Sequence, residues 1–295
     1  MADKPSKYEL QAIKEIHVWK SGKISRFSKT MEFINWPIKK AIDPITGVPW
    51  VGWVIEKSIK GIISALNDLA LWTVRPEAIY KKFSKFGINV QKRLDIFNLD
   101  LEQVDRVIGW LGAKYKGTTM GEGGTFGGFF TILGIVPDIL ALVTMNQRAI
   151  GQYATYCGFD ISTQHERLFA MNVLGLASSP TDASKQYAMA QLVRIAKDVA
   201  KKKAWRDLEK HAFVKITRKI AESLGIRLTK AKLAQIIPIL GAGVGAAFNG
   251  YYTNKVCNAA YYLYRERFLA EKYGPDIIEI TVKLADDYTP DYRDD

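Results

Sequence analysis

Ile236-Ile-Pro-Ile-Leu-Gly-Ala-Gly-Val-Gly-Ala-Ala-Phe-Asn249 is the stretch on which the reading of this chain turns. A dinucleotide-binding loop would follow a strand, open a helix and keep Gly-x-Gly-x-x-Gly spacing, with an acid further on. Here Pro238 and helical patterns surround the glycines, and the spacing after Gly243 departs from that fingerprint. Tyr251, Cys257, Tyr261 and Tyr264 continue at helical spacing to Tyr273, and Gly274-Pro275 stops the run. The segment therefore opens a long helix. Glycines four apart, Gly241 and Gly245, leave a flat strip where two backbones can approach closely.

The same composition occurs once more, between Gly112 and Gly134. Gly117, Gly121, Gly123, Gly124, Gly127 and Gly128 alternate with Phe126, Phe129 and Phe130, and Gly124 and Gly128 repeat the four-residue spacing. Pro137 is expected to begin a helix that ends near Cys157, with Gly158 as its stop. Thr125 to Met145 holds 21 residues with Asp138 as its sole charge, close to a membrane span. Leu233 to Phe248 is shorter and uncharged. Both a tight soluble core and membrane-inserting hairpins fit these runs. A third apolar segment near Ile45 leads into a helix in the same way, so a duplicated helical hairpin is one reading of the chain.

The remaining segments read as helices. Ser6 with Glu9, Asp100 with Gln103, and Thr163 with Glu166 are capping boxes. Leu10, Ile13 and Ile16 lead to Trp19; Phe27, Met31 and Ile34 form a weaker run broken by Pro37. Trp50, Val54, Ile55, Ile59, Ile62, Ile63, Leu66, Leu69 and Ala70 mark one buried face. Pro76 suits a first helical turn, and helices are expected from about 183 to 200 and from 204 to 224. No alternating strand stands out. The fold class is all-α: a compact multi-helix bundle whose long core helices are preceded by glycine-rich apolar segments. Residues 1–275 read as one domain and 276–295 as an acidic, poorly ordered tail.

Lys and Arg outnumber Asp and Glu by 42 to 30. The excess is local: twelve bases against four acids lie between Lys197 and Lys232. Lys201, Lys202, Lys203, Arg206, Lys210, Lys215, Arg218 and Lys219 form the candidate basic surface. It suits an anionic membrane or a membrane-protein partner. Nucleic acid is disfavoured, because Trp205 and Phe213 alone offer stacking platforms there. Two cysteines make no disulfide framework and read as buried thiols. The N-terminus lacks an apolar signal core, so a cytoplasmic protein is expected, with the inner face of the membrane as its candidate place of work.

Catalysis has little support. His17, His165 and His211 are far apart, and metal-binding and nucleophile-elbow motifs are missing, so neither metal nor cofactor is expected. Cys157 with His165 is the nearest approach to a nucleophile and its base. Polar residues inside apolar helices are more informative: Asp138, Asn146, Arg148, Asp160, Asn249 and Arg267 are candidates for a buried polar layer. That layer is either a structural network, with Asp138 paired to Arg267 or Asp160 to Arg167, or a pocket for a small lipid-like ligand or head group. A lipid hydrolase would need Asp138, Asp160, Asn249 and a histidine to converge.

The order of these blocks resembles the EcsC family, named for a protein encoded beside an ABC-type exporter. The blocks are Tyr8-Glu-Leu to Trp19, glycine-rich Gly121 to Gly128, Pro137-Asp138, Tyr156-Cys-Gly-Phe-Asp160, Glu166-Arg167, the segment from Pro238 to Asn249, and Arg265 with Arg267. In the family pattern the acid precedes the proline, whereas here Pro137 comes first, so the resemblance gives Asp138 no role. It implies an all-α protein associated with transport at the membrane and supplies no catalytic residues. The expected function is non-enzymatic: a membrane- or transporter-associated protein that binds lipid or a partner through its basic face and glycine-rich segments.

Overall fold

A computed structural model describes residues 4–21, 49–67, 74–125, 132–179, 186, 188–193, 195–196, 217–226, 228–229 and 241–278. The described elements are α1 (Lys7–Ser21), α2 (Pro49–Asn67), α3 (Pro76–Lys85), α4 (Leu101–Ile108), α5 (Leu111–Thr125), α6 (Ile132–Tyr156), α7 (Gln164–Ala177) and α8 (Gly241–Tyr273), with 3-10 turns at Arg93–Asn98 and Pro275–Ile277. Helical pieces also lie at 188–193 and 217–226. No strand occurs among the described residues.

Local chemistry sets the helix ends. The Ser6 hydroxyl accepts from the Glu9 amide at 3.2 Å, and a Glu9 carboxylate oxygen accepts from the Ser6 amide at 3.0 Å. Asp100 and Gln103 complete a second box. At α7 the box is half made: Thr163 accepts from the Glu166 amide, but the Glu166 carboxylate turns to Arg267 instead. Pro137 is the sixth residue of α6, not its first, since the helix already runs from Ile132. Its ring forfeits one backbone hydrogen bond near the start, which a 25-residue helix tolerates.

Gly158 stops the chain just past α6 at φ +83°, and an added Cβ would lie 2.9 Å from the Phe97 ring. Left-handed backbone costs an L-residue about 1–2 kcal/mol, and overpacking adds about 1–3 kcal/mol. Gly158→Ala is therefore expected to lose about 2–5 kcal/mol, read as a fall in the urea midpoint at unchanged slope.

α8 is the axis. α6 runs parallel to it, since Asn146 meets Thr253 and, further along, Tyr153 meets Tyr261. α5 runs antiparallel, with Gly112 against Cys257 and Met120 against Gly250. α7 is also antiparallel, from Glu166 at Arg267 to Ser178 at Tyr252. α1 crosses the last turns of α8, where Trp19 stacks on Tyr262 at 5.0 Å. Leu140 of α6 fills the space over Gly61 of α2, and Arg167 of α7 donates to the Asn67 carbonyl that ends α2. The 217–226 piece follows α7: Thr217 lies at Met171 and Ile220 at Gly175.

These directions have a topological consequence. α5 and the 217–226 piece run toward one end of the bundle, and α6 and α8 return from it. The chain therefore makes two excursions to one pole, where α5, with Gly121, Gly123 and Gly124 in its last turns, and the 217–226 piece end, and where α6 and α8, the latter opening on Gly241, Gly243 and Gly245, begin. α2 starts toward the same pole. The equal spacing of the cysteines is incidental: Cys157 lies just past the end of α6, whereas Cys257 sits within α8 at the level of Gly112 and Tyr153. At the other pole the chain stays packed through Ile278, beyond the expected boundary at residue 275.

Candidate functional site

The pole opposite the glycine-rich segments is held by charge. Arg265, Glu266 and Arg267 are consecutive, so helical geometry aims them about 100° apart. Each meets a different partner. Arg265 reaches Asp105 of α4 at 2.9 Å and Glu15 of α1 at 3.5 Å. Glu266 pairs with Lys20 of α1. Arg267 pairs with Glu166 of α7 at 2.6 Å, its guanidinium 4.0 Å from the centre of the Phe159 ring and 4.2 Å from that of Phe169. One turn on, Lys272 donates to Glu9 at 2.8 Å and to the Leu99 carbonyl. Glu9 also accepts from Tyr273 at 2.5 Å and from the Leu101 amide, tying together the starts of α1 and α4 and the end of α8.

Two carboxylates in this cluster titrate in opposite senses. Burial opposes ionisation of Glu9, but hydrogen bonds from Lys272, Tyr273 and the Ser6 amide outweigh it and hold its pKa below the ordinary value of 4.5. Its stabilising contribution is full above that value and is lost as pH falls through the folded pKa. For Asp105, burial outweighs the attraction of Arg265 and the hydrogen bond from Tyr8, so its pKa is raised and acidification relieves a penalty. The stability gap between the wild type and Glu9→Gln is thus expected to be widest near neutrality. It should shrink as pH falls below about 4.5, as measured by urea titration at each pH.

A polar layer lies toward the glycine-rich pole. Asn146, fully buried, donates to the Leu142 carbonyl at 2.8 Å and to Thr253 at 3.2 Å, and its own carbonyl oxygen has no partner among the described residues. The same is true of the Asn249 carbonyl oxygen and of both amide atoms of Gln147. An unmet buried polar group costs about 1–3 kcal/mol. Gln147→Met, near-isosteric, is expected to raise stability by about that amount, visible as a higher melting temperature.

The model of the EcsC protein family matches residues 10–269, nearly the whole described bundle. The chain belongs to the EcsC protein family. A Bacillus subtilis relative, described as uncharacterized protein YdbA, is 26% identical over 286 residues, covering 89% of this chain and 93% of its own. No solved structure matches.

Within this EcsC fold, half of the expected polar layer is buried. Asn146, Asn249 and Arg267 are inside, whereas Arg148 and Asp160 are exposed and Asp138 is half-buried. The expected pairs do not form: Arg267 takes Glu166, Arg167 takes the Asn67 carbonyl, and Asp160 turns onto Ser162 at 2.7 Å. Asp160 and His165 lie at the charged pole, while Asp138 and Asn249 lie toward the other, so the hydrolase constellation is not assembled. Cys157 is wholly buried and its thiol is pushed far up by that burial, which disqualifies it as a nucleophile. Among the described residues no group of His, Cys, Asp and Glu is placed to hold a metal ion.

Gly241 and Gly245 are helical from the first turn of α8, and Gly124 lies in the last turn of α5; Gly128 falls outside the described residues. Of the basic stripe, Arg218 and Lys219 are described and exposed, and Lys201, Lys202, Lys203, Arg206, Lys210 and Lys215 lie outside. The weak helix around Phe27 to Ile34 and the tail from residue 279 also lie outside. Sequence reasoning missed Glu9, Asp105 and Lys272 as members of the charged cluster. The available signal was the Arg-Glu-Arg triplet in a helix otherwise fit for burial.

Proposed function

We propose that this protein is a non-enzymatic peripheral membrane protein that attaches through its glycine-rich pole. The observation that carries this reading is that the glycine-bearing end of α5, the glycine-bearing start of α8 and the starts of α6 and α2 lie toward one end of the bundle. Between α5 and α6 the sequence Phe126-Gly-Gly-Phe-Phe-Thr131 carries no charge, and before α8 the bases Arg227, Lys230 and Lys232 are followed by an uncharged apolar run from Leu233 to Leu240. Trp53, in the second turn of α2, is 45% exposed with the Lys57 ammonium 4.5 Å from its ring centre. An amphipathic aromatic beside a lysine suits the head-group level of a bilayer. No described helix is long and apolar enough to cross a membrane, so attachment is shallow. Arg218 and Lys219 sit on the piece that runs toward this pole and add attraction to anionic lipid, about 1 kcal/mol for each base near the surface.

The test is flotation with neutral and with anionic vesicles at low and high salt. Flotation on anionic vesicles that partly survives high salt is expected, because salt screens charge and leaves apolar insertion intact. Absence of flotation on anionic vesicles at low salt would overturn the reading.

A further inference from the structure

We propose that the pole opposite the glycine-rich one is a docking surface for an acidic protein segment that carries an apolar side chain. Between Arg75 and Leu94 the chain holds six bases and one acid, Glu77. Lys81, Lys82, Lys85 and Lys92 are exposed there. Among them Phe86 is 48% and Leu94 55% exposed, on a rigid support: Ile79, Phe83, Ile88 and Ile96 are buried beneath. Both elements are anchored on the turn that ends α6. Phe83 packs on Tyr156, Phe97 on Phe159, and Arg93 donates to the Gly158 carbonyl at 3.1 Å.

Among the described residues no ion pair joins a carboxylate to a lysine ammonium of this face, although Asp95 feels the Lys92 charge and Glu77 lies on the same helix as Lys81. Asp95 accepts from the Gln91 and Lys92 amides, and Asp160 accepts from Ser162. Exposed lysines near two exposed apolar side chains complement carboxylates that flank an apolar anchor.

The choice of a protein over a bilayer rests on the proposed attachment at the other pole. α6 spans 25 residues, about 37 Å at about 1.5 Å per residue. With its start at the lipid, its end stands several Debye lengths of about 8 Å from the head groups. A bilayer bound at the glycine-rich pole cannot reach this surface, whereas an acidic segment in the aqueous phase can.

The experiment uses the full chain without lipid and a short fluorescein-labelled peptide of glutamates around a central Phe-Leu pair, followed by anisotropy. Binding is expected, weakened roughly tenfold by Lys81→Glu with Lys85→Glu and roughly fivefold by Phe86→Ser. Both variants should melt like the wild type, since the altered side chains are exposed, and both should float on anionic vesicles like the wild type. No peptide binding, or binding that the variants do not weaken, overturns the proposal. So does tighter binding to a short single-stranded nucleic acid. Flotation lost in the Lys81→Glu, Lys85→Glu variant would mean that this face meets lipid, again overturning it. The attachment reading fails separately, if charges placed in the glycine-rich pole leave flotation unchanged.

Discussion

Arg267→Ala should destabilise the fold by about 3–5 kcal/mol, the usual consequence of leaving one member of a buried ion pair alone. The guanidinium is enclosed by Phe159 and Phe169 and bonded to Glu166, which is itself buried. Removal leaves an uncompensated carboxylate in the core and a void between two rings. Urea denaturation should show the loss at once. The double variant Arg267→Met with Glu166→Leu should recover most of it, because the pair's net worth is small once its desolvation is counted. A loss below about 1 kcal/mol in the single variant would contradict the enclosure described for Arg267.

The second large effect concerns attachment. Phe129→Asp with Phe130→Asp alters the apolar sequence between α5 and α6. Burying a phenylalanine contributes about 1.5–3 kcal/mol, and each new carboxylate resists transfer to the interface. Vesicle affinity should fall on the order of a hundredfold or more, measured as the lipid concentration for half flotation. Folding should be kept, because the ion pairs at the other pole are untouched. The melting curve checks that separately.

The helices were legible because their signals are local. Ser6 with Glu9 and Asp100 with Gln103 need neighbours three residues apart, and both boxes form. Val54, Ile62 and Leu66, placed on one face by spacing alone, are fully buried. Gly158 was marked as a stop and has the left-handed backbone that such a stop requires. The pairings were not legible. Asp138 was a plausible mate for Arg267, yet α7 rather than the start of α6 lies against that part of α8, so Glu166 takes the place. Arg148 follows two buried residues and is nevertheless exposed, because one helical step of about 100° turns it out of the interface. Glu9 read as a cap and is one, but its second oxygen serves Lys272 in the last turn of α8, 263 residues away in sequence. Such contacts depend on how helices far apart in sequence are rotated against each other, which periodicity does not encode. The polar layer was half legible: Asn146 and Asn249 are buried as expected, and so is Gln147, which the sequence also shows as a polar residue of that apolar helix, with neither amide atom met among the described residues.

The central claim is that the glycine-rich pole, and not its opposite, enters the bilayer interface. Both native thiols are buried and their ionisation is suppressed, that of Cys257 to a pKa of about 12, so an introduced surface cysteine can be labelled selectively. An environment-sensitive fluorophore would be placed at Phe129→Cys in one protein and at Asn89→Cys, beside Phe86, in another. On addition of anionic vesicles the label at position 129 should brighten, shift to the blue and become quenched by lipid-borne nitroxides, while the label at position 89 stays as in water. Unchanged emission at position 129, or insertion reported from position 89, would contradict the account.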